Sequence, residues 1–174
     1  MEYIVKEALL SGFTNAKYVD NLKVECEDRI RAFCNPLYCW NMTKNWICPP
    51  ACGTVQECYQ NIKHFEKGVI LVSMTDLTPP VEMDYYKQLN VEHNLRLKSL
   101  LEKLEDKYEL FPLTSGGCIF CEKCTYPNPC IKPQLKMNSL SAYGIDVTKL
   151  CHNEGIEFSF RPDRVYYIAL LLVA

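Results

Sequence analysis

The segment CIFCEKCTYPNPC, residues 118 to 130, places four cysteines within thirteen residues and constrains the fold more than any other feature. Cys118, Cys121 and Cys124 follow a C-x-x-C-x-x-C spacing, which lets a chain wrap three thiolates around one face of a four-iron cluster. Cys130 is the natural fourth ligand, because the prolines in TYPNP disfavour a helix and favour a stiff turn. The spacing therefore predicts a metal site, with iron–sulfur favoured over zinc and over disulfide bonds.

Another cysteine group, called the first group below, lies earlier in the chain, in FCNPLYCWNMTKNWICPPACGT. Its members are Cys34, Cys39, Cys48 and Cys52. Cys52 lies two residues before Thr54, the expected N-cap of a helix, whose positive end would face an anionic thiolate cluster. Trp40 and Trp46 flank the group and either shield a cluster from water or pack in the core. Spacing alone leaves two alternatives open, a second metal site or a scatter of buried thiols.

Cysteine usage and charge narrow the class of protein. The 174 residues include eleven cysteines. Because eleven is an odd number, the cysteines cannot all pair with one another within one chain. The N-terminal MEYIVKEALLSG lacks the pattern of a secretory signal, so we expect a cytoplasmic protein whose clustered thiols bind metal. A formal charge of -2 without a long basic run predicts no nucleic-acid partner. The longest apolar run, VYYIALLLVA, is too short to span a bilayer, so no membrane association is expected.

The hydrophobic pattern predicts an α/β (α+β) fold, in which helices pack on a mixed sheet and Cys-rich loops carry the metal sites. Thr54 and Glu57 form a capping-box pattern that begins a short amphipathic helix, with Gly68 as its stop. The run GVILVSM is typical of a strand buried on both faces. Helical spacing from about Glu82 to Lys107 predicts the longest helix. After it, YELFPLTSGG reads as a short strand and a Gly-rich loop that delivers the first cysteine of the 118–130 segment.

The two ends of the chain carry less definite patterns. The tail IEFSF-RPDR-VYYIALLLV predicts a C-terminal antiparallel hairpin, and its last strand is a possible exposed edge through which two copies form a homodimer. Near the N-terminus, YIVKEALL fits a strand or a helix, and AKYVDNLKVE fits an edge strand before a short helix. Because the sequence has neither a repeat nor a Gly/Ser linker, residues 1–174 are predicted to form a single cysteine-rich metal-binding domain.

Three cysteines and three histidines fall outside the two groups. Cys58 lies on the apolar face of the capped helix and is expected to be a core residue. Cys26 and Cys151 are either spare ligands, catalytic thiols or inert side chains, and the sequence does not assign their roles. The histidines form no metal-binding spacing with one another.

The cysteine motifs together resemble those of the domain-of-unknown-function (DUF) 2284 family of uncharacterised predicted metal-binding proteins. The matching pieces are C-x4-C...W-x-C-P-P from Cys34 to Pro50, G-x-C-x-x-C-x-x-C...C-x-x-P from Gly116 to Pro133, and S-x-x-A-x-G-I-D-V from Ser139 to Val147. The resemblance implies an intracellular, cysteine-ligated metal or iron–sulfur protein and makes the first group a metal site. It implies no reaction. An acidic residue expected in S-x-x-A is missing from S-L-S-A, and W-N-M replaces a tyrosine–glycine pair.

Three functions are compatible with these motifs. The favoured one is an iron–sulfur protein with one or two 4Fe-4S clusters that passes single electrons to a partner redox enzyme in an anaerobic cytoplasm. The second is an iron–sulfur enzyme in which one iron stays open as a Lewis acid for substrate sulfur or oxygen, with Cys130 as the residue to test. The third is a zinc-binding structural or docking module.

Overall fold

The computed structural model describes residues 2–37, 39 and 42–174. Within them, helices and strands alternate along most of the chain. The helices are α1 (Glu2–Leu10), α2 (Asp28–Arg31), α3 (Val55–Ile62), α4 (Met83–Leu104) and α5 (Val147–Asn153). The strands are β1 (Asn15–Asp20), β2 (Lys67–Asp76), β3 (Leu110–Thr114), β4 (Asn138–Ser139) and β5 (Arg164–Val173).

The strands form one mixed sheet in the order β1-β2-β5-β3-β4. The pairs β1–β2, β2–β5 and β5–β3 are antiparallel, and β3–β4 is parallel. β2 and β5 pair along their full lengths, from Lys67 opposite Val173 to Asp76 opposite Arg164. This arrangement confirms the predicted mixed sheet and places its two most apolar strands at the centre.

Both faces of this sheet are covered by helices. Ile70 and Leu170 belong to a core cluster that also contains buried residues of α3 and α5. Leu71 and Leu171, the next residues along the same strands, belong to the cluster formed with α1 and α4. Alternate side chains of β2 and β5 therefore enter two different cores, which is why both strands are apolar at nearly every position.

The helices confirm most of the predicted helical pattern. The capping box is present, since the Glu57 N–H donates to Thr54 Oγ1 (3.2 Å) and the Thr54 N–H to Glu57 Oε2 (2.7 Å). The predicted stop at Gly68 is wrong: α3 ends at Ile62, because a turn in which the Phe65 N–H donates to Ile62 O (3.0 Å) redirects the chain toward β2. YIVKEALL is helical, in α1. No helix among the described residues is both long and apolar enough to cross a bilayer.

The tail differs from the predicted hairpin in the identity of its partner strand. β5 is antiparallel to its neighbours as expected, but these are β2 and β3, and residues 156–160 form no strand. Only an isolated bridge between Arg161 and Arg164 closes the intervening turn. The predicted exposed edge is also wrong, because β5 lies inside the sheet and 169–173 pair on both sides. Homodimerisation stays a prediction. Residues 169–173 of β5 have no free strand edge through which two copies could pair.

Candidate metal centre

A buried polar network fixes the loop that delivers the 118–130 segment. The Asn90 side-chain amide donates to Ser115 O (3.0 Å), and that of Asn94 donates to Asn90 O (2.9 Å). The Thr114 hydroxyl at the end of β3 donates to Asn94 Oδ1 (2.9 Å). Since Asn94 and Thr114 are buried, these bonds hold α4 and the start of the loop in one arrangement just before Cys118.

Gly116 lets the loop lie directly on this network. A Cβ at Gly116 would lie 2.5 Å from both Asn90 Oδ1 and Asn94 Nδ2, whereas one at Gly117 would meet nothing within 4 Å. We expect Gly116→Ala to lower the free energy of unfolding by about 1–3 kcal/mol, since the network must shift. Gly117→Ala should stay within about 0.5 kcal/mol of the parent chain. Urea unfolding of the two variants tests this, and equal losses of stability would contradict it.

The four cysteines of the 118–130 segment, called the second group below, lie around one cavity. Cys118, Cys121, Cys124 and Cys130 all line this space of about 300 Å³. Desolvation raises the pKa of Cys121, and the neighbouring thiols raise it further because a thiolate there would repel theirs. The fold thus gathers the four side chains that the spacing singled out, including Cys130 after its five-residue gap.

Three of the four thiols of the first group line one cavity, and the fourth does not. Cys34, Cys39 and Cys48 line a different cavity of about 860 Å³, and Cys52 does not line it. Burial raises the pKa of Cys34 and raises that of Cys48 to about 11. These thiols are protonated at neutral pH without metal, so metal binding would release their protons.

Cys52 instead lies against the guanidinium of Arg31. Arg31 Nη2 is 3.2 Å from Cys52 Sγ and donates to Gly53 O (2.6 Å), while Nη1 donates to Ala142 O. The Cys58 thiol donates to Cys52 O (3.3 Å) from the other side. A hydrogen bond from Cys58 and then the positive Arg31 lower the pKa of Cys52 to about 7 against the effect of burial. Cys52 is therefore more readily ionised than Cys34 and Cys48.

The two groups are neighbours in space. The Trp46 indole N–H donates to Asn128 O (2.8 Å), and its ring meets that of Tyr126 edge-on at 5.1 Å. Ile47 and Gly117 line both cavities. Sequence reasoning did not predict this contact; the prediction that Trp46 flanks a cluster was its only hint, and Trp40 lies outside the described residues.

The cavity of the second group has a basic rim, formed by Lys44, Lys123, Lys132 and Lys136. Glu122 is the one carboxylate among the described lining residues. In the part of the chain that the structure describes, none of the four lysines forms an ion pair. In a chain of formal charge -2, this concentrates unneutralised positive charge beside the thiols.

The remaining cysteines and the one buried histidine fit structural roles. Cys58 is fully buried in the core, as predicted. Burial raises the pKa of Cys26 and of Cys151 to about 11, so both stay protonated near neutral pH. Burial lowers the pKa of His93 to about 3, and its Nδ1 lies 2.9 Å from Ser73 Oγ. Among the described residues, no three His, Cys, Asp or Glu side chains lie in an arrangement that holds a single metal ion.

The donor set and the available space fit an iron–sulfur cluster. All eleven cysteines are free thiols, and four thiolates are the usual ligands of such a cluster. A cavity of about 300 Å³ is several times the ~30 Å³ that one water occupies, so it suits a multi-atom group. A zinc site with four cysteine ligands would use the same donors, but the described side chains would have to rearrange to hold a single ion.

Comparison with known families agrees with the cysteine motifs. A family model described as "Predicted metal-binding protein (DUF2284)" matches residues 17–173. The match covers most of the chain, so the protein belongs to the DUF2284 family of predicted metal-binding proteins. No curated protein and no solved structure matches it.

Proposed function

We propose that the protein binds two 4Fe-4S clusters, one in each cysteine group, and transfers single electrons. The observation that carries the proposal is the side-by-side arrangement of two thiol groups, joined through the contact of Trp46 with Asn128. Two adjacent redox centres provide a path for an electron through the protein. The thiolates that would hold the clusters are Cys118, Cys121, Cys124 and Cys130 in the second group and at least three of Cys34, Cys39, Cys48 and Cys52 in the first.

The chain's own residues set the conditions for this chemistry. The clusters, when bound, supply reversible one-electron reduction. Arg31 provides a fixed positive charge beside the first group, and Lys136 lies near both groups, since it lines the second cavity and lowers the pKa of Cys52. Positive charge near a cluster favours its reduced form, which carries one more negative charge.

Reductive titration of anaerobically purified protein tests the proposal. We expect the visible absorbance to bleach on reduction and return on oxidation, with a paramagnetic signal in the reduced state. A colourless protein with no redox response would contradict electron transfer and favour the zinc-binding docking module.

The basic rim supports an acidic electron-carrier protein as the partner. Lys44, Lys123 and Lys132 are exposed, so their ammonium groups are available to a docking partner. The mouth of the second cavity would then be the point of electron entry or exit, and charge would steer the encounter.

Salt-dependent association kinetics check this partner class. At low ionic strength, Lys44→Ala/Lys123→Ala/Lys132→Ala should associate with an acidic ferredoxin about tenfold more slowly than the parent chain, and with a weaker salt dependence. The matched control Lys6→Ala/Lys63→Ala/Lys67→Ala removes exposed lysines that do not line the cavity. Equal slowing in both triple variants would mean that net charge, not the rim, controls association.

An iron–sulfur enzyme is the second candidate function. It is favoured by the cavity of about 860 Å³ beside the first group, which is large enough for an organic substrate. Compared with this cavity, the space around the second group is small.

A further inference from the structure

We propose that the first cysteine group is a three-thiol site, in which Cys34, Cys39 and Cys48 hold the cluster and one iron is open to a ligand in the adjacent cavity. The ligand class is a neutral, largely apolar organic molecule that carries a sulfur or oxygen donor. The proposal rests on the function proposed above, because it needs a cluster in this group.

The division of the thiols is the first observation. Three of the four line the cavity of about 860 Å³, while Cys52 does not line it. Arg31 holds Cys52 by its Nη2 at 3.2 Å, and the same guanidinium is fixed by the carbonyl oxygens of Gly53 and Ala142. A guanidinium anchored by two carbonyl oxygens gives the Cys52 sulfur a partner that is not metal.

The cavity walls define the ligand class. Aromatic side chains surround the space, and the nearby charged groups are already paired: Asp146 with Arg29 (2.9 Å) and Lys87 with Asp84 (2.7 Å). The aromatic members are Phe33, Tyr86, Phe158, Phe160 and Tyr167. With its ion pairs satisfied, this surface favours an uncharged, aromatic or aliphatic ligand.

Hydroxyl groups lie where the donor atom of such a ligand would approach the thiols. Ser141 Oγ is 3.8 Å from Cys34 Sγ and 3.1 Å from Ser139 Oγ. Both serines line the cavity. They would orient a sulfur or oxygen donor, and an open iron would polarise that donor as a Lewis acid. The open iron position therefore lies at the first group. In the second group, Cys130 lines the same cavity as the other three cysteines, so all four thiols are available to the cluster.

Iron content of single-cysteine variants separates a three-thiol from a four-thiol site. With all proteins purified anaerobically, Cys52→Ala should keep the iron and sulfide content of the parent chain, whereas Cys34→Ala should lose about half. Cys26→Ala, outside both groups, is the control for thiol removal. Equal losses from Cys52→Ala and Cys34→Ala would overturn the inference. A parent chain without iron would instead overturn the proposed function.

A ligand-binding measurement gives an independent result should Cys34→Ala fail to fold. In Cys121→Ala/Cys124→Ala, which retains only the first group intact, phenylmethanethiol, which is uncharged at neutral pH, should shift the paramagnetic signal of the reduced cluster. Thioglycolate, a charged thiol, should need at least tenfold higher concentration for the same shift. No shift with phenylmethanethiol, or equal potency of the two thiols, would overturn the inference.

Discussion

Cys121→Ala/Cys124→Ala is expected to halve the iron and sulfide content of the protein. Two of the four thiolates around the second cavity are then missing, and the remaining two cannot complete the usual ligand set of a cluster. The equivalent change in the first group, Cys34→Ala/Cys39→Ala, should remove the other half. Iron and acid-labile sulfide determined per chain measure both effects.

The control is a pair of cysteines outside the groups. Cys26→Ala/Cys151→Ala also removes two thiols, but both are protonated and lie in or against the core. This variant should keep its full iron content. If its loss matched that of either grouped pair, iron retention would depend on general stability and the assignment of ligands would fail.

Gly144→Ala is expected to lower the free energy of unfolding by about 2 to 5 kcal/mol. Gly144 has φ +74°, and a Cβ there would lie 2.6 Å from Glu27 O and 2.7 Å from Glu27 N. The Glu27 N–H donates to Gly144 O (2.8 Å), so this close contact ties the start of α2 to the 142–144 turn. Because Arg31 at the end of α2 bonds the same turn, the substitution should also release iron from the first group.

Gly155 provides the matched control, since it has φ +62° but open space around its Cα. Gly155→Ala carries only the backbone cost of a left-handed conformation, about 1–2 kcal/mol. Urea unfolding of the two metal-loaded variants separates the cost of conformation from that of crowding. Equal destabilisation would show that the Gly144 contact with Glu27 contributes nothing.

Local patterns predicted the local parts of this structure. The capping box at Thr54, the buried run in β2 and the long helix α4 each depend on residues close in sequence, and all three are confirmed. The spacing in the 118–130 segment likewise predicted a set of thiols that the fold gathers around one cavity. Their binding of metal stays a prediction.

Long-range contacts account for what sequence reasoning missed. The position of β5 inside the sheet depends on pairing with β2 and β3, and apolar alternation cannot distinguish a central from an edge strand. The contact of Trp46 with Asn128 spans 82 residues, so no motif predicts that the two cysteine groups are adjacent. The contact of Cys52 with Arg31 also could not be predicted from the cysteine spacing, because Arg31 lies outside it.

The central claim is that the two cysteine groups hold iron–sulfur clusters. The direct test is to determine iron, zinc and acid-labile sulfide in the parent chain after anaerobic purification. Two 4Fe-4S clusters predict roughly eight iron and eight sulfide ions per chain, with zinc below one. A colourless protein that contains zinc and no sulfide would contradict the claim.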